Sequence, residues 1–372
     1  MKILYSCLSK SWGGMEMYTL TSVKQLLARN IEVEILCLKD STLYNEAKEA
    51  GVIVHTTKSD SYFNLPGVLK IISLLQNKNF DLIHTQASRD LWQLVPALKL
   101  MNSKNPLVFT KHVGSFVVKK DFLHKFIYNR VNVAFAISET IRKNMIETTP
   151  LPQEKILLVH DCIDVNKFDP QETHRHEIRD EFKVSENEIL IGMMARFSPG
   201  KGHEEFLTAA KKLNEKYNNL KFMIVGKASY GEEKYEKEIK SLASNSLNKD
   251  VIFTGFRADT ADILSAMDIF VFPSHAEAFG IALIEAMAMQ IPTVSSNAEG
   301  VLDITIDGET GLLFENKNAN DLTEKVSKLI DSKELRIKLG RGGRQRVINS
   351  FNLEKQTEKI LEIYSSLISK AK

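Results

Sequence analysis

A single carboxylate interrupts an otherwise apolar run. From Gly280 to Met289 every residue except Glu285 is apolar or glycine, so the helix it forms should be buried nearly all round. At ~100° per residue Glu285 falls between Ile281 and Ala288 on one face, and an uncompensated buried charge is costly. A protein partner or a ligand hydroxyl must therefore meet it. Glu277 lies just before this helix, on the loop after a strand-like run that begins at Ile269. Two carboxylates suggest glycoside hydrolysis, but that reaction places its acid and its base or nucleophile on opposite sides of one bond. These two share one strand, loop and helix, so hydrogen bonds to sugar and ribose hydroxyls fit better. The backbone N–H groups near Phe279, Gly280 and Ile281 form a helix amino terminus suited to phosphate or sugar oxygens.

A second cluster is Arg196-Phe197-Ser198-Pro199-Gly200-Lys201-Gly202, where a strand pattern ends and a helix pattern begins. A guanidinium and an ammonium flanking a Pro-Gly turn can pair with the two phosphates of a diphosphate. The plainer alternative is a solvated basic loop. Trp12-Gly13-Gly14 opens a helix pattern after the first strand, where backbone N–H groups could approach an anion. Its spacing is neither G-x-G-x-x-G nor a Walker loop, and a plain turn explains it as well. His112 ends a strand pattern of the first half and precedes Gly114, a place suited to substrate contact. No metal is implied, because no H-E-x-x-H, EF-hand loop or D-x-D in the second-half loops occurs.

Parallel sheets covered by helices are needed to position these groups. Strand-length apolar runs begin at residues 3, 31, 52, 81, 107, 133 and 156, with helix patterns near 15–29, 66–78, 90–101, 122–130 and 139–147. A polar stretch, 169–187, interrupts the alternation and reads as an interdomain connection. Strand patterns resume at residues 189, 221, 251, 269, 293 and 311, with helices at 204–217, 232–247 and 280–290, and three helical segments close the chain. Two doubly wound units follow, with ligands expected beyond the carboxyl ends of the strands.

Length agrees, since 372 residues exceed what one core usually organises. Composition is that of a folded globular chain: 43% hydrophobic, 26% charged, 18 Gly and 9 Pro. The net charge of +2 gives no support to nucleic-acid binding. Three cysteines without a C-x-x-C pair support neither a disulfide framework nor a zinc ribbon. With no leader-like amino terminus and no spanning apolar run, the expected location is the cytoplasm or the inner face of the membrane. Segment 119–130 mixes lysines with large apolar residues and could dock on anionic lipid. An amphipathic helix packed on its sheet is the stronger reading from spacing alone.

Taken together, these residues resemble retaining glycosyltransferases of the GT-B fold, specifically glycosyltransferase family 4. The resemblance runs through Gly13-Gly14-Met15-Glu16, His112, Asp161 to Asp164 with Phe168, Arg196 with Lys201-Gly202, and Phe253-Thr254-Gly255-Phe256. It continues through Pro273-Ser274, Glu277 and Glu285, Glu299-Gly300 and Asp307 to Gly311. It implies two Rossmann-like domains facing a central cleft: an acceptor domain, 1–168, and a donor domain, 169–352, with a final helix, 353–372, crossing back to the first. Arg196 and Lys201 would grip the donor diphosphate, Glu285 the ribose and Glu277 the transferred sugar. Gly14 would approach the phosphates, His112 the sugar near the reacting centre, and the Arg257 backbone the base. Arg196, Lys201, Glu277 and His112 are thus the expected catalytic set. A UDP- or GDP-linked sugar would be the co-substrate, with no cofactor or essential metal, and a glycan or lipid-linked molecule the acceptor, in polysaccharide or lipopolysaccharide-type synthesis. Ala278, commonly glycine in the family, and Lys227, where an acidic residue is frequent, depart from the pattern. A sugar-nucleotide epimerase and a non-catalytic nucleotide-sugar binding protein are the alternatives.

Overall fold

The computed structural model describes residues 1–229, 231–247 and 250–371. The chain divides into two units, one of Met1–Asp161 with Glu354–Lys372 and the other of Cys162–Leu353. The division falls at Asp161, so residues 162–168 belong to the second unit and not to the first, where the sequence boundary places them.

The first unit is built on seven strands: β1 (Lys2–Cys7), β2 (Glu32–Leu38), β3 (Ile53–Thr57), β4 (Leu82–Thr85), β5 (Leu107–Lys111), β6 (Val133–Ala136) and β7 (Ile156–Leu158). They form one parallel sheet in the order β3-β2-β1-β4-β5-β6-β7. Helices α1 (Gly14–Leu27), α2 (Thr42–Glu49), α3 (Leu65–Asn77), α4 (Leu91–Leu100), α5 (Phe122–Tyr128) and α6 (Glu139–Thr148) connect them. The starts are set locally: the Asn64 side chain accepts from Gly67 N at 3.1 Å with Pro66 in the first turn of α3, and Ser138 caps α6 through Ile141 N at 3.2 Å. Strands that are covered on both faces read as nearly continuous apolar runs, and β2 is buried at six of its seven positions. Its core joins Ile3, Ile35, Leu82 and Phe135 to Val23 of α1.

The second unit carries β8 (Ile189–Met194), β9 (Leu220–Val225), β10 (Val251–Gly255), β11 (Ile269–Phe272), β12 (Thr293–Ser296) and β13 (Leu312–Phe314). Their order is β10-β9-β8-β11-β12-β13, again parallel. Its helices are α7 (Arg175–Glu181), α8 (His203–Lys216), α9 (Glu233–Leu247), α10 (Thr260–Ser265), α11 (Ile281–Ala288), α12 (Ala319–Asp331) and α13 (Lys333–Ser350). The last helix, α14 (Leu353–Ala371), packs on the first unit's sheet, with Ile360 and Tyr364 in that core.

Two helices depart from the sequence expectation. Helix α2 is only eight residues long and buries Leu43 and Ala47, too short a pattern to stand out. Helix α7 lies inside the stretch read as a connection. Its Arg179 is 1% exposed and donates to Ala266 O at 2.9 Å, Ser185 O at 2.6 Å and Glu188 O at 2.7 Å. Asp268 accepts from Arg179 at 3.2 Å and from Arg175 at 2.7 Å. The segment is polar because it docks through charge and carbonyl contacts, which hydrophobic periodicity does not register.

Candidate active site

In an open parallel sheet the ligand crevice opens where strand order reverses. In the second unit that point lies between β8 and β11, and the loops after those two strands carry Arg196 to Lys201 and Ser274 to Gly280. Both sequence clusters therefore stand side by side at the carboxyl ends of the two central strands. Gly202 begins α8 in the left-handed region at φ +79°, and a Cβ there would lie 2.1 Å from Pro273 O. Only glycine lets these two loops approach so closely. His275 N donates to Gly200 O at 2.8 Å, which fixes the turn between the two cations.

Lys201 Nζ and Glu277 Oε2 meet at 2.5 Å, with both side chains roughly one-fifth exposed. The residue expected at the diphosphate and the one expected at the sugar thus hold each other, leaving a charge pair that a ligand can insert into. Arg196 is exposed, its Nη1 donating to Ser229 Oγ at 3.3 Å. Beneath Glu277, Gly300 N donates to Glu277 O at 3.0 Å, and a Cβ on Gly300 would come within 2.4 Å of Ala278 O.

Helix α11 buries Leu283, Ile284, Ala286, Met287 and Ala288, while Ile281, Ala282 and Glu285 keep one partly open face. The helix is therefore less enclosed than its composition suggests. Among the described residues no hydrogen bond or ion pair meets the Glu285 carboxylate. Desolvation raises it from 4.5 to about 7, against a weaker opposing pull from Lys167. It is the unpaired group that the sequence demands a partner for. No side chain caps the start of α11, where Gly280 stands at the N-cap, so N–H groups of its first turn are left for a ligand to meet. The Phe279 ring is buried against Phe351 at 5.5 Å, so Phe279 can serve a ligand only through its backbone.

The Arg257 guanidinium is occupied by Asp259 and Glu181, with Nη2 to Asp259 Oδ2 at 2.6 Å and Nη1 to Glu181 Oε1 at 2.5 Å. These carboxylates raise it well above its usual range. The side chain is thereby committed to shaping the loop after β10, leaving its backbone for a ligand.

In the first unit, Gly13 and Gly14 follow β1 at the start of α1. The Glu16 side chain accepts from Gly13 N at 2.9 Å and is buried, so a carboxylate already occupies part of the anion site expected there. Gly14 has nothing within 4 Å of its Cβ position, which leaves open space at that backbone. His112 follows β5 and is 7% exposed, with Nε2 2.9 Å from Gln86 Oε1 and Nδ1 3.7 Å from Asp161 Oδ2. Sequence reasoning missed Gln86 and Glu181, and gave no role of their own to Glu16 and His275. Only Glu16 carries a local signal, three residues after Gly13 in a capping position. Among the described residues no three His, Cys, Asp or Glu side chains are placed to hold a metal ion.

Two doubly wound parallel sheets, one carrying cations after β8 and carboxylates after β11, are the architecture of the GT-B fold. Known families place it further. Residues 12–167 match the family described as Glycosyltransferase Family 4, and residues 174–346 match Glycosyl transferases group 1. The chain belongs to glycosyltransferase family 4 and is a glycosyltransferase. It is 23% identical to the capsular polysaccharide biosynthesis glycosyltransferase CapM of Staphylococcus aureus, covering 94% of this chain and 93% of that one. It is 24% identical to an Escherichia coli UDP-Gal:alpha-D-GlcNAc-diphosphoundecaprenol alpha-1,3-galactosyltransferase, covering 99% and 97%. Among solved structures, Anabaena Alr3699/HepE in complex with UDP and glucose superposes with a TM-score of 0.83 at 22% identity, covering 98% of this chain and all of that one. Relatives named as glycosyltransferases, one for capsular polysaccharide biosynthesis and one for a diphosphoundecaprenol-linked sugar, favour transfer over the epimerase and binding-protein readings.

Proposed function

We propose that this chain transfers a sugar from a nucleoside-diphosphate donor, UDP-linked, to a lipid-linked glycan acceptor with retention at the anomeric carbon. The carrying observation is the unpartnered Glu285 carboxylate on the helix that follows the loop of the Lys201–Glu277 pair, at the β8/β11 reversal. A ribose diol donating to Glu285 relieves its desolvation. Arg196 and Lys201 take the diphosphate, and Glu277, released from Lys201, accepts from sugar hydroxyls. The bond from the anomeric carbon to the diphosphate oxygen breaks with its electron pair going to the diphosphate. The acceptor oxygen bonds on the same face, its proton passing to the departing oxygen. Positive charge placed where negative charge develops is the main contribution such a site makes. The choice of UDP and a lipid-linked acceptor is supported by the E. coli relative's UDP-Gal and diphosphoundecaprenol substrates.

The test is a panel of UDP- and GDP-sugars with nucleotide release and donor affinity measured. Release with a UDP-sugar, lost in Lys201→Ala and Glu277→Ala, supports the reading; no binding of any donor overturns it.

A surface in the first unit supports a peripheral position on anionic membrane. Helix α5 buries Ile127 and Tyr128, but Phe122 is 79% exposed and Phe116, on the loop before it, is fully exposed. Lys119, Lys120 and Lys125 lie among them, a complement to anionic headgroups. Among the described residues no helix is long and apolar enough to cross a membrane. Cosedimentation with vesicles containing phosphatidylserine, reduced by salt and by Phe116→Glu with Phe122→Glu, is the expected result. Equal recovery with and without vesicles refutes it.

A further inference from the structure

Behind His112 runs a chain of buried polar groups that reaches the last helix. His84 Nδ1 lies 2.5 Å from Tyr364 Oη on α14, and Tyr364 Oη lies 3.0 Å from Tyr5 Oη. On its other side, His84 Nε2 lies 2.7 Å from Thr110 Oγ1 and 3.2 Å from Gln86 Nε2. Gln86 Oε1 then meets His112 Nε2 at 2.9 Å. Gln86, His84 and Tyr364 are each 3% exposed or less.

Chemistry at each link is restricted. Burial, reinforced by the neighbouring His112, pushes His84 down to about 3, so its ring is neutral with one N–H and one lone pair. A primary amide donates only from nitrogen and accepts only at oxygen. Gln86 between two imidazoles therefore needs a lone pair on one facing nitrogen and a proton on the other.

We propose that Gln86 is a positioning residue that holds the His84 and His112 rings in opposite tautomers, with Tyr364 of the final helix setting the direction of the chain. With the amide nitrogen toward His84, His84 carries its proton on Nδ1 and donates it to Tyr364 Oη. His112 then carries its proton on Nε2 and donates to Gln86. Its Nδ1 is left with a lone pair, facing Asp161 Oδ2 at 3.7 Å, while Asp161 Oδ1 is buried with no hydrogen-bond partner. Two neighbouring acceptors of this kind suit a ligand that brings hydroxyl donors. This inference deepens the reading of His112 as a sugar contact and rests on it only for that consequence; the tautomer wiring stands on its own geometry.

The experiment is long-range 1H–15N correlation of the histidine-labelled full chain, which reports the tautomer of each ring. The expected wild-type result is His84 protonated on Nδ1 and His112 on Nε2. Tyr364→Phe removes the acceptor for His84 Nδ1–H, so both rings are expected to reverse together. Gln86→Leu uncouples them, and His112 is expected to show averaged nitrogen shifts. Thermal melts establish that each variant is folded. Turnover of Gln86→Leu is expected to fall about tenfold in kcat with donor KM unchanged, the scale of one lost hydrogen bond. The same tautomer on both rings in the wild type, or His112 shifts unchanged in both folded variants, overturns the proposal. Correct tautomers in a chain that turns over no sugar donor would leave the wiring intact and sink the functional reading instead.

Discussion

Replacing Glu285 by Gln tests whether this chain sacrifices stability for the donor site proposed above. Desolvation raises the carboxyl from 4.5 to about 7 in the folded chain. Between those values the folded form binds a proton that the unfolded chain has released, so stability falls as pH rises through the window. Above pH 7 the accumulated cost is the whole difference. At ~1.4 kcal/mol per pH unit it amounts to about 3 kcal/mol, an upper figure given the partly open face of α11. Glutamine keeps the shape and loses the charge. Glu285→Gln should therefore be more stable than wild type at pH 8 by up to about 3 kcal/mol, and nearly equal to it below pH 4.5. The same variant should bind nucleotide more weakly, because an amide accepts ribose hydroxyls less strongly than a carboxylate. Urea unfolding at pH 5, 6.5 and 8, with and without UDP, measures both effects. A variant less stable than wild type by the same amount at every pH would refute the reasoning, since it would show that the carboxylate has a protein partner.

Three further outcomes follow from the geometry. Gly202→Ala places a Cβ 2.1 Å from Pro273 O at φ +79°, and should lower stability by about 2–4 kcal/mol in denaturant unfolding while weakening donor binding through the displaced Lys201. Glu34, buried in β2, would be raised by burial alone, but Lys2 at 2.8 Å, His55 and Lys78 at 3.3 Å hold it at about 2. Its stabilisation is present above pH 4.5 and lost as pH falls toward 2, so the deficit of Glu34→Gln in unfolding experiments should be about 2–3 kcal/mol at pH 7 and shrink steadily in acid. Arg179→Met leaves Asp268 and three carbonyls short of a donor, and should cost about 3–5 kcal/mol in the same assay.

Much of this protein is legible along the chain. Two successive series of buried strands alternate with helices, and parallel sheets covered on both faces demand continuous apolar runs, so β1 to β13 announce themselves by pattern. Gly280, Glu277 and Glu285 are legible for the same reason: each sits at a fixed offset from a strand end. What local pattern does not encode is which distant groups meet. Lys201 finds Glu277 and Arg257 finds Glu181 across 76 residues each, and His84 finds Tyr364 across 280. Nor does it show that Arg179 of α7 is interior, since a buried arginine held by carbonyls looks like a solvated one until its partners are placed. Periodicity records which apolar faces are buried; the partner of a charge or a tautomer is chosen only when the sheet order brings separate strand ends together.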